Sequence, residues 1–364
     1  MGFDSFVGNT QAVKVLRDIL ASGRIPGALL FGGPDGVGKK TLAAMFAKAL
    51  NCEQFQDDFC GQCTRCLKVQ VMLDTARSDL ALRKDLKEVA RRTEGFVYFD
   101  VQVIEPLGRF ILIEQVRQLR NVAYTHPFEL SRRVFIIDQA QAVHWQAVDV
   151  LLKVLEESPE TTTLVLVCTN RYELRPTIRS RCRLIQFTAV DEPAVMKILA
   201  DEGRVPEAQQ PLVARLTAGS VARAKDFNLD EFQHKRKPWM EFLSGLLDRA
   251  TRVSGEPDWK LLFESTRALT ERREEFQEIL RIGYSLLGDL MRILEGQPDS
   301  EVTNLDVIER LRNWAPKLRL NGIEALKSGL DEAYRLYARN INLQLCLDAL
   351  AVDVHILLKE QKAS

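Results

Sequence analysis

Gly33-Pro34-Asp35-Gly36-Val37-Gly38-Lys39 fits the pattern G-x-x-x-x-G-K. The apolar run Ala28-Leu29-Leu30-Phe31 ahead of it reads as a strand, and the stretch from Thr41 to Asn51 behind it reads as a helix. Strand, glycine loop and helix is the context that a phosphate-binding loop requires. Glycines let backbone N–H groups curl around phosphate oxygens. The lysine neutralises charge, and the helix N-terminus adds its dipole. A chance match is the competing reading, and the flanking elements argue against it.

Two positions in this site lack the expected chemistry. The residue after the loop lysine is normally Ser or Thr, whose hydroxyl holds Mg²⁺. Here it is Lys40, an ammonium that repels a cation. Thr41 supplies a hydroxyl one residue later, but one helical step turns it by about 100° away from the metal position. Further on, Val134 to Asp138 reads as an apolar strand ending in an acid that can reach a metal. ATPases of this type usually carry Glu next, to polarise water. Gln139 cannot accept a proton and so cannot be the base. Gly33, Pro34, Asp35, Gly36, Val37, Gly38, Lys39, Lys40, Thr41 and Asp138 are therefore the candidate residues of a partly vestigial nucleotide site. ATP or ADP is the ligand expected there, without Mg²⁺ and without hydrolysis. A structural Asp138 at a strand end leads to the same conclusion.

Outward from the loop, residues 11 to 22 carry apolar residues at helical spacing and stop at Gly23. Residues 97 to 104 and the runs 134 to 138 and 164 to 168 read as strands. Residues 79 to 93, 113 to 124 and 142 to 157 read as helices. Strands alternating with helices predict a parallel α/β sheet. After Phe187 the strand signals fade. Residues 191 to 226 read as short helices, and the pattern from about 230 is helical, with breaks at Gly255-Glu256-Pro257, Gly296-Gln297-Pro298, Pro316 and Gly322. The expected layout is an α/β domain at 1–187, a helical lid at 188–229 and an all-helical domain at 230–364.

Four of the seven cysteines fall at Cys52-x7-Cys60-x2-Cys63-x2-Cys66. Two overlapping C-x2-C steps bring thiolates together in a knuckle, and Cys52 can complete a tetrahedral S₄ site suited to structural Zn²⁺. An iron–sulfur cluster and unliganded thiols are the alternatives. Cys168, Cys182 and Cys346 lie among apolar residues and read as core.

Lysine plus arginine equals aspartate plus glutamate, so the formal charge is zero and a uniformly basic surface is excluded. The runs Arg91-Arg92 and Lys235-Arg236-Lys237 have no interleaved aromatics and read as solvated faces. The four histidines have no metal-ligand spacing. The N-terminus does not read as a signal peptide, and no apolar run is long enough for a membrane span, so the expected location is the cytoplasm without membrane contact.

The degraded loop, the four-cysteine knuckle after its helix and Ser180-Arg181-Cys182 occur in an order that resembles the clamp-loader subunits of bacterial DNA polymerase III. Phe6-Val7-Gly8-Asn9, Gly23 to Phe31, Ile113 to Arg117, Leu151 to Glu157 and Pro176 to Cys182 carry the same likeness. It covers residues 1 to about 226. Beyond that it is weak, apart from Asn340 to Leu347. The resemblance implies an AAA+ P-loop fold and a helical collar at 230–364. It also implies a hetero-pentamer with gamma/tau and delta subunits that loads a sliding clamp onto primed DNA. It gives Arg181 the role of an arginine finger reaching a neighbour's ATP site. It places Asn170 at the first sensor position and Arg223 in the second sensor region, with a strand-end cap and a solvated helix charge as the plain alternatives. Lys40 and Gln139 depart from the hydrolysing members and point to the delta-prime branch. An active gamma/tau-type ATPase and a zinc-containing AAA+ DNA-binding or repair factor are the rival readings.

Overall fold

A strand covered on both faces has no polar side, so short unbroken apolar runs become the inner strands of a parallel sheet. In a computed structural model of the chain, β1 (Ala28–Gly32), β2 (Val101–Ile104), β3 (Arg133–Ile137) and β4 (Thr162–Cys168) are buried along their whole length. β5 (Arg183–Gln186) buries only Ile185. The order is β2-β3-β4-β1-β5, with every pairing parallel. The described residues are 2–88, 90–93, 98–248, 257–337, 339 and 341–363. Gly255, Glu256 and Asn340, where sequence reading places a helix break and part of the C-terminal likeness, lie outside them. So do residues 89 and 94–97.

The chain divides into two compact units. The first joins Met1–Arg204 with Ala218–Lys225, and the second joins Val205–Thr217 with Asp226–Ser364. In the first unit α1 (Thr10–Ser22) stops at Gly23, whose φ of 66° is the left-handed geometry of a helix end. α2 (Lys39–Asn51) follows the loop, and α3 (Thr64–Asp85) follows the cysteine knuckle. α4 (Ile113–Ala123), α5 (Val148–Glu157), α6 (Pro176–Arg179) and α7 (Glu192–Glu202) complete the α/β part. α8 (Gln210–Leu216) belongs to the second unit and α9 (Val221–Lys225) to the first.

Two helix boundaries are corrected. The helix read at 79 to 93 is the tail of α3, which begins at Thr64; a separate single turn covers Ala90–Thr93. The helix read from Ala142 starts at Val148, because a parallel bridge between Ile111 and Val143 keeps that stretch extended. Ile111 N–H donates to Ala142 O and His144 N–H to Ile111 O, so two short 3₁₀ turns replace the first helical turn. β5 gave no signal in the sequence.

The second unit also holds α10 (Leu229–Leu247), α11 (Trp259–Thr270), α12 (Phe276–Leu294), α13 (Ile308–Tyr337) and α14 (Leu343–Ala363). Its core is built on Trp239, Phe242, Phe276, Leu286, Trp314 and Leu330. α13 is two helices joined at a kink at Arg319, with φ 55°, which falls between Pro316 and Gly322, the two positions read as breaks. The buried Asp289 is satisfied by the N–H groups of Thr303 and Asn304 and by the Asn304 amide. No described helix is long and apolar enough to cross a membrane.

Candidate functional site

The phosphate loop is built as its glycines require. Gly33, Gly36 and Gly38 take φ of 151°, 75° and 89°, which side chains with a Cβ rarely adopt. Space is short as well: a Cβ on Gly33 would stand 2.3 Å from Phe187 O, and one on Gly36 would stand 1.9 Å from Ser220 Oγ. The segment ahead of α9 also touches the loop, through Ala222 N–H donating to Gly36 O at 3.0 Å. Arg223 therefore sits at the loop's edge, one residue past that bond. Lys39 is 6% exposed. Its ammonium donates to Gly33 O at 2.6 Å and to Pro34 O, and burial pulls its pKa below the ordinary lysine value.

Lys40 lies at the start of α2, and its ammonium pairs with Glu105 and stands 3.6 Å from Asp138 Oδ2. Lys84, from the end of α3, meets the other oxygen of Glu105 at 2.5 Å. Burial raises the pKa of Glu105, but the two ammonium groups outweigh it and hold the carboxyl below its usual range. Asp138 goes the other way. Burial pushes its pKa up, and Lys40 offsets that only in part. The two carboxylates share one ammonium unequally, and the shorter contact goes to Glu105. The residues do not fit a divalent metal, because the Lys40 ammonium already stands 3.6 Å from the strand-end acid, where the metal would be held. Thr41 is exposed and lines a cavity between α2 and α3 together with Lys40 and Glu105. Gln139 is exposed at φ 52°, with its N–H on Asp138 Oδ1.

The sequence-predicted residues do not all meet. The loop, Lys40 and Asp138 converge. Asn170 caps a short turn by accepting Tyr172 N–H at 3.0 Å, and Gln141 ties the preceding Thr169 to the β3 side. Arg181 is elsewhere, paired with Glu156 and donating to Thr177 O at 2.8 Å.

The four knuckle cysteines do meet, with their Sγ atoms all within 4.8 Å of one another. Zn–S bonds of about 2.3 Å in a tetrahedron need S···S separations of roughly 3.8 Å, so small side-chain adjustments close the cage. Backbone N–H groups already face sulfur, from Cys63 to Cys60 at 3.2 Å and from Cys60 to Cys52 at 3.4 Å. Those from Gln62 and Cys63 favour the Cys60 thiolate, whereas burial raises Cys66. Asp58 anchors the knuckle by accepting Phe3 N–H and pairing with Arg17 at 2.7 Å.

Sequence reading missed Glu105 and Lys84, which carry no motif. It also missed a surface cluster. Phe110, His144 and Trp145 lie in ring contact at 5.3 and 5.6 Å beside Arg175, around a cavity of about 440 Å³. Next to it Arg171 and Arg179 flank the ring of Tyr172 at 4.8 and 5.3 Å. Trp145 is 65% and Tyr172 69% exposed. Among the described residues Arg109, Arg171, Arg175 and Arg179 pair with no carboxylate. Exposed rings beside guanidinium groups that hold no carboxylate can stack bases and bind phosphates.

A five-stranded parallel sheet with a glycine loop between β1 and α2 and an acid at the end of β3 defines an AAA+-type P-loop protein. The family described as DNA polymerase III, delta subunit, matches residues 8–191, half of the chain, and the chain belongs to this family of clamp-loader subunits. The tau subunit of DNA polymerase III from Bacillus subtilis is 27% identical over 70% of this chain and 38% of its own length. The gamma/tau subunit from Mycobacterium tuberculosis is 28% identical over 85% and 48%. The chain thus spans less than half the length of these two relatives. Among solved structures, a DNA polymerase III gamma subunit-related protein from Thermotoga maritima covers 94% of this chain and 98% of its own, at 14% identity and TM-score 0.43. So remote a likeness adds nothing about function.

Proposed function

We propose that this chain is a delta-prime-like subunit of the clamp loader, acting without hydrolysing ATP. The observation that carries this reading is the Lys40 ammonium between Glu105 and Asp138, where a hydrolysing site needs a metal and its hydroxyl ligand. Gln139 supports it, since no base follows Asp138. The fold from 188 to 229 then serves as a lid and that from 230 to 364 as a collar holding the subunit among gamma/tau and delta partners. The knuckle holds structural zinc on Cys52, Cys60, Cys63 and Cys66. Arg181 leaves Glu156 to reach a neighbour's nucleotide, while Asn170 and Arg223 keep sensor positions without live chemistry. The sliding clamp and primed DNA are met through the complex, with the Trp145–Tyr172 surface as the part suited to touch DNA.

The gamma/tau name of the relatives favours a second reading, an active motor subunit. A turnover assay on the purified chain separates the two. No ATP hydrolysis above background is expected. Steady hydrolysis that disappears in Lys39→Ala would select the motor reading instead.

A further inference from the structure

We propose that the Lys40 ammonium stands in for the metal ion, so that the loop takes the phosphates of a nucleotide in metal-free form. This rests on the non-hydrolysing reading of the same site and adds what the site binds. The loop itself has kept its demanding geometry: three glycines at positive φ, a buried Lys39 turned into the loop, and the N-terminus of a 13-residue helix behind it. Such a cradle remains suited to an anion. What changes is the counter-charge. A nucleoside diphosphate or triphosphate brings several negative charges, and a divalent ion normally offsets part of them. Here Lys40 starts from the helix end beside the loop and lies 3.6 Å from the acid that would ligate that ion. It is a cation tethered by its own side chain.

Nor is the ammonium sealed away. The Lys40 side chain is 39% exposed, against 13% for Glu105. It offers three donors, so it can bond a phosphate oxygen while remaining on Glu105. Lys84 holds the second oxygen of Glu105 and keeps that carboxylate facing Lys40. Lys39 exchanges the carbonyls of Gly33 and Pro34 for phosphate oxygens. With the Lys40 ammonium 3.6 Å from Asp138, added Mg²⁺ meets a like charge at the acid that would ligate it. It binds nucleotide in solution instead and competes with the site.

The experiment is a titration of the full-length chain with a fluorescent ADP analogue, in EDTA and then in excess Mg²⁺. Affinity in EDTA should equal or exceed that in Mg²⁺. Lys40→Thr should lose about tenfold or more in EDTA, the effect of removing one charge-assisted contact, and regain it with Mg²⁺. Lys40→Arg should keep binding in EDTA, which guards against a fold defect in the threonine variant. Strengthening of nucleotide binding to the unsubstituted protein by Mg²⁺ of more than about threefold, which is about 0.65 kcal/mol, overturns the proposal. So does a Lys40→Thr variant that binds in EDTA like the parent or that Mg²⁺ fails to restore. Absence of binding in both conditions overturns it too, yet leaves the non-hydrolysing reading standing. ATP turnover by the unsubstituted chain would remove that underlying reading as well.

Discussion

At the scale of single residues, one buried ion pair ties the start of β3 to the residue ahead of β2. Arg133 and Asp100 have side chains with no exposure and meet at 3.0 Å. Asp100 also accepts N–H groups from Phe128, Glu129 and Leu130. Burial opposes its charge, but these donors and Arg133 prevail, so its pKa lies below the ordinary 3.8. A depressed folded pKa means stability that is complete above the ordinary aspartate range and lost as pH falls through the lower folded value. Asp100→Ala strands a guanidinium in the interior and should cost about 3–5 kcal/mol. Thermal melts at neutral pH would show it, and a shift of less than a degree would mean that water reaches Arg133. Arg181→Ala is the contrasting case. Its surface pair with Glu156 is worth about 0–1 kcal/mol, so the chain should stay folded. In a reconstituted complex, ATP turnover at the adjoining site should nevertheless fall by a factor of about 10³ or more, as loss of an arginine finger does. Undiminished turnover with assembly intact would leave Arg181 as a local tie. The loop, Lys40 and Asp138 were legible in the sequence because motif spacing fixes them. Glu105 and Lys84 were not, since they come from separate elements and meet Lys40 only in the fold.

Among the elements, α3 shows why sequence reading fell short. Cys66, Val69, Leu73, Ala76 and Leu80 form its buried stripe, but Leu67, Val71 and Leu82 are apolar too and 53%, 64% and 70% exposed, which blurs that stripe in the sequence. A long helix whose stripe is blurred by apolar residues on its outer face reads as fragments. β5 escaped for a related reason: an edge strand with one buried residue has no apolar run. The first turn of α3 depends on the knuckle, since Cys63 accepts Cys66 N–H and Cys66 is buried there. Elemental analysis should find one zinc per chain. Metal removal should cost much of the roughly 10–16 kcal/mol that such sites supply. It should also raise hydrogen exchange in residues 52–66 and the start of α3, while β1 to β4 stay protected. Exchange that does not change on chelation would refute a structural metal. The Trp145 surface gives a second test at this scale. Replacing both Trp145 and Arg175 by Ala should weaken capture of single-stranded DNA by the assembled complex by about 1–3 kcal/mol per stacked base lost. Capture by the double variant equal to that of the parent complex would remove DNA from this surface.

For the whole molecule, what matters is that chain order and compact units do not coincide. Residues 205–217 precede α9 in sequence but belong with the helical unit, where Arg215 donates to Asp299 O at 3.1 Å and Val302 O at 3.3 Å. Composition could not reveal this, because short polar helices broken by proline look alike on either side of the crossing. It also changes how the collar proposal is tested. A cut after Lys225 keeps every residue of the first unit and all five strands, and it leaves only 205–217 without its partners. The cores are separate sets of side chains, one around Phe135, Leu151 and Leu166 and the other around Trp239, Phe276 and Trp314. The 1–225 fragment should therefore retain the circular dichroism of a folded α/β protein. If the helical unit drives assembly, that fragment should not enter a complex with gamma/tau and delta subunits on gel filtration, even at concentrations where the full chain does. A folded fragment that assembles as tightly as the full chain would move the assembly surface onto the α/β unit and end the collar assignment.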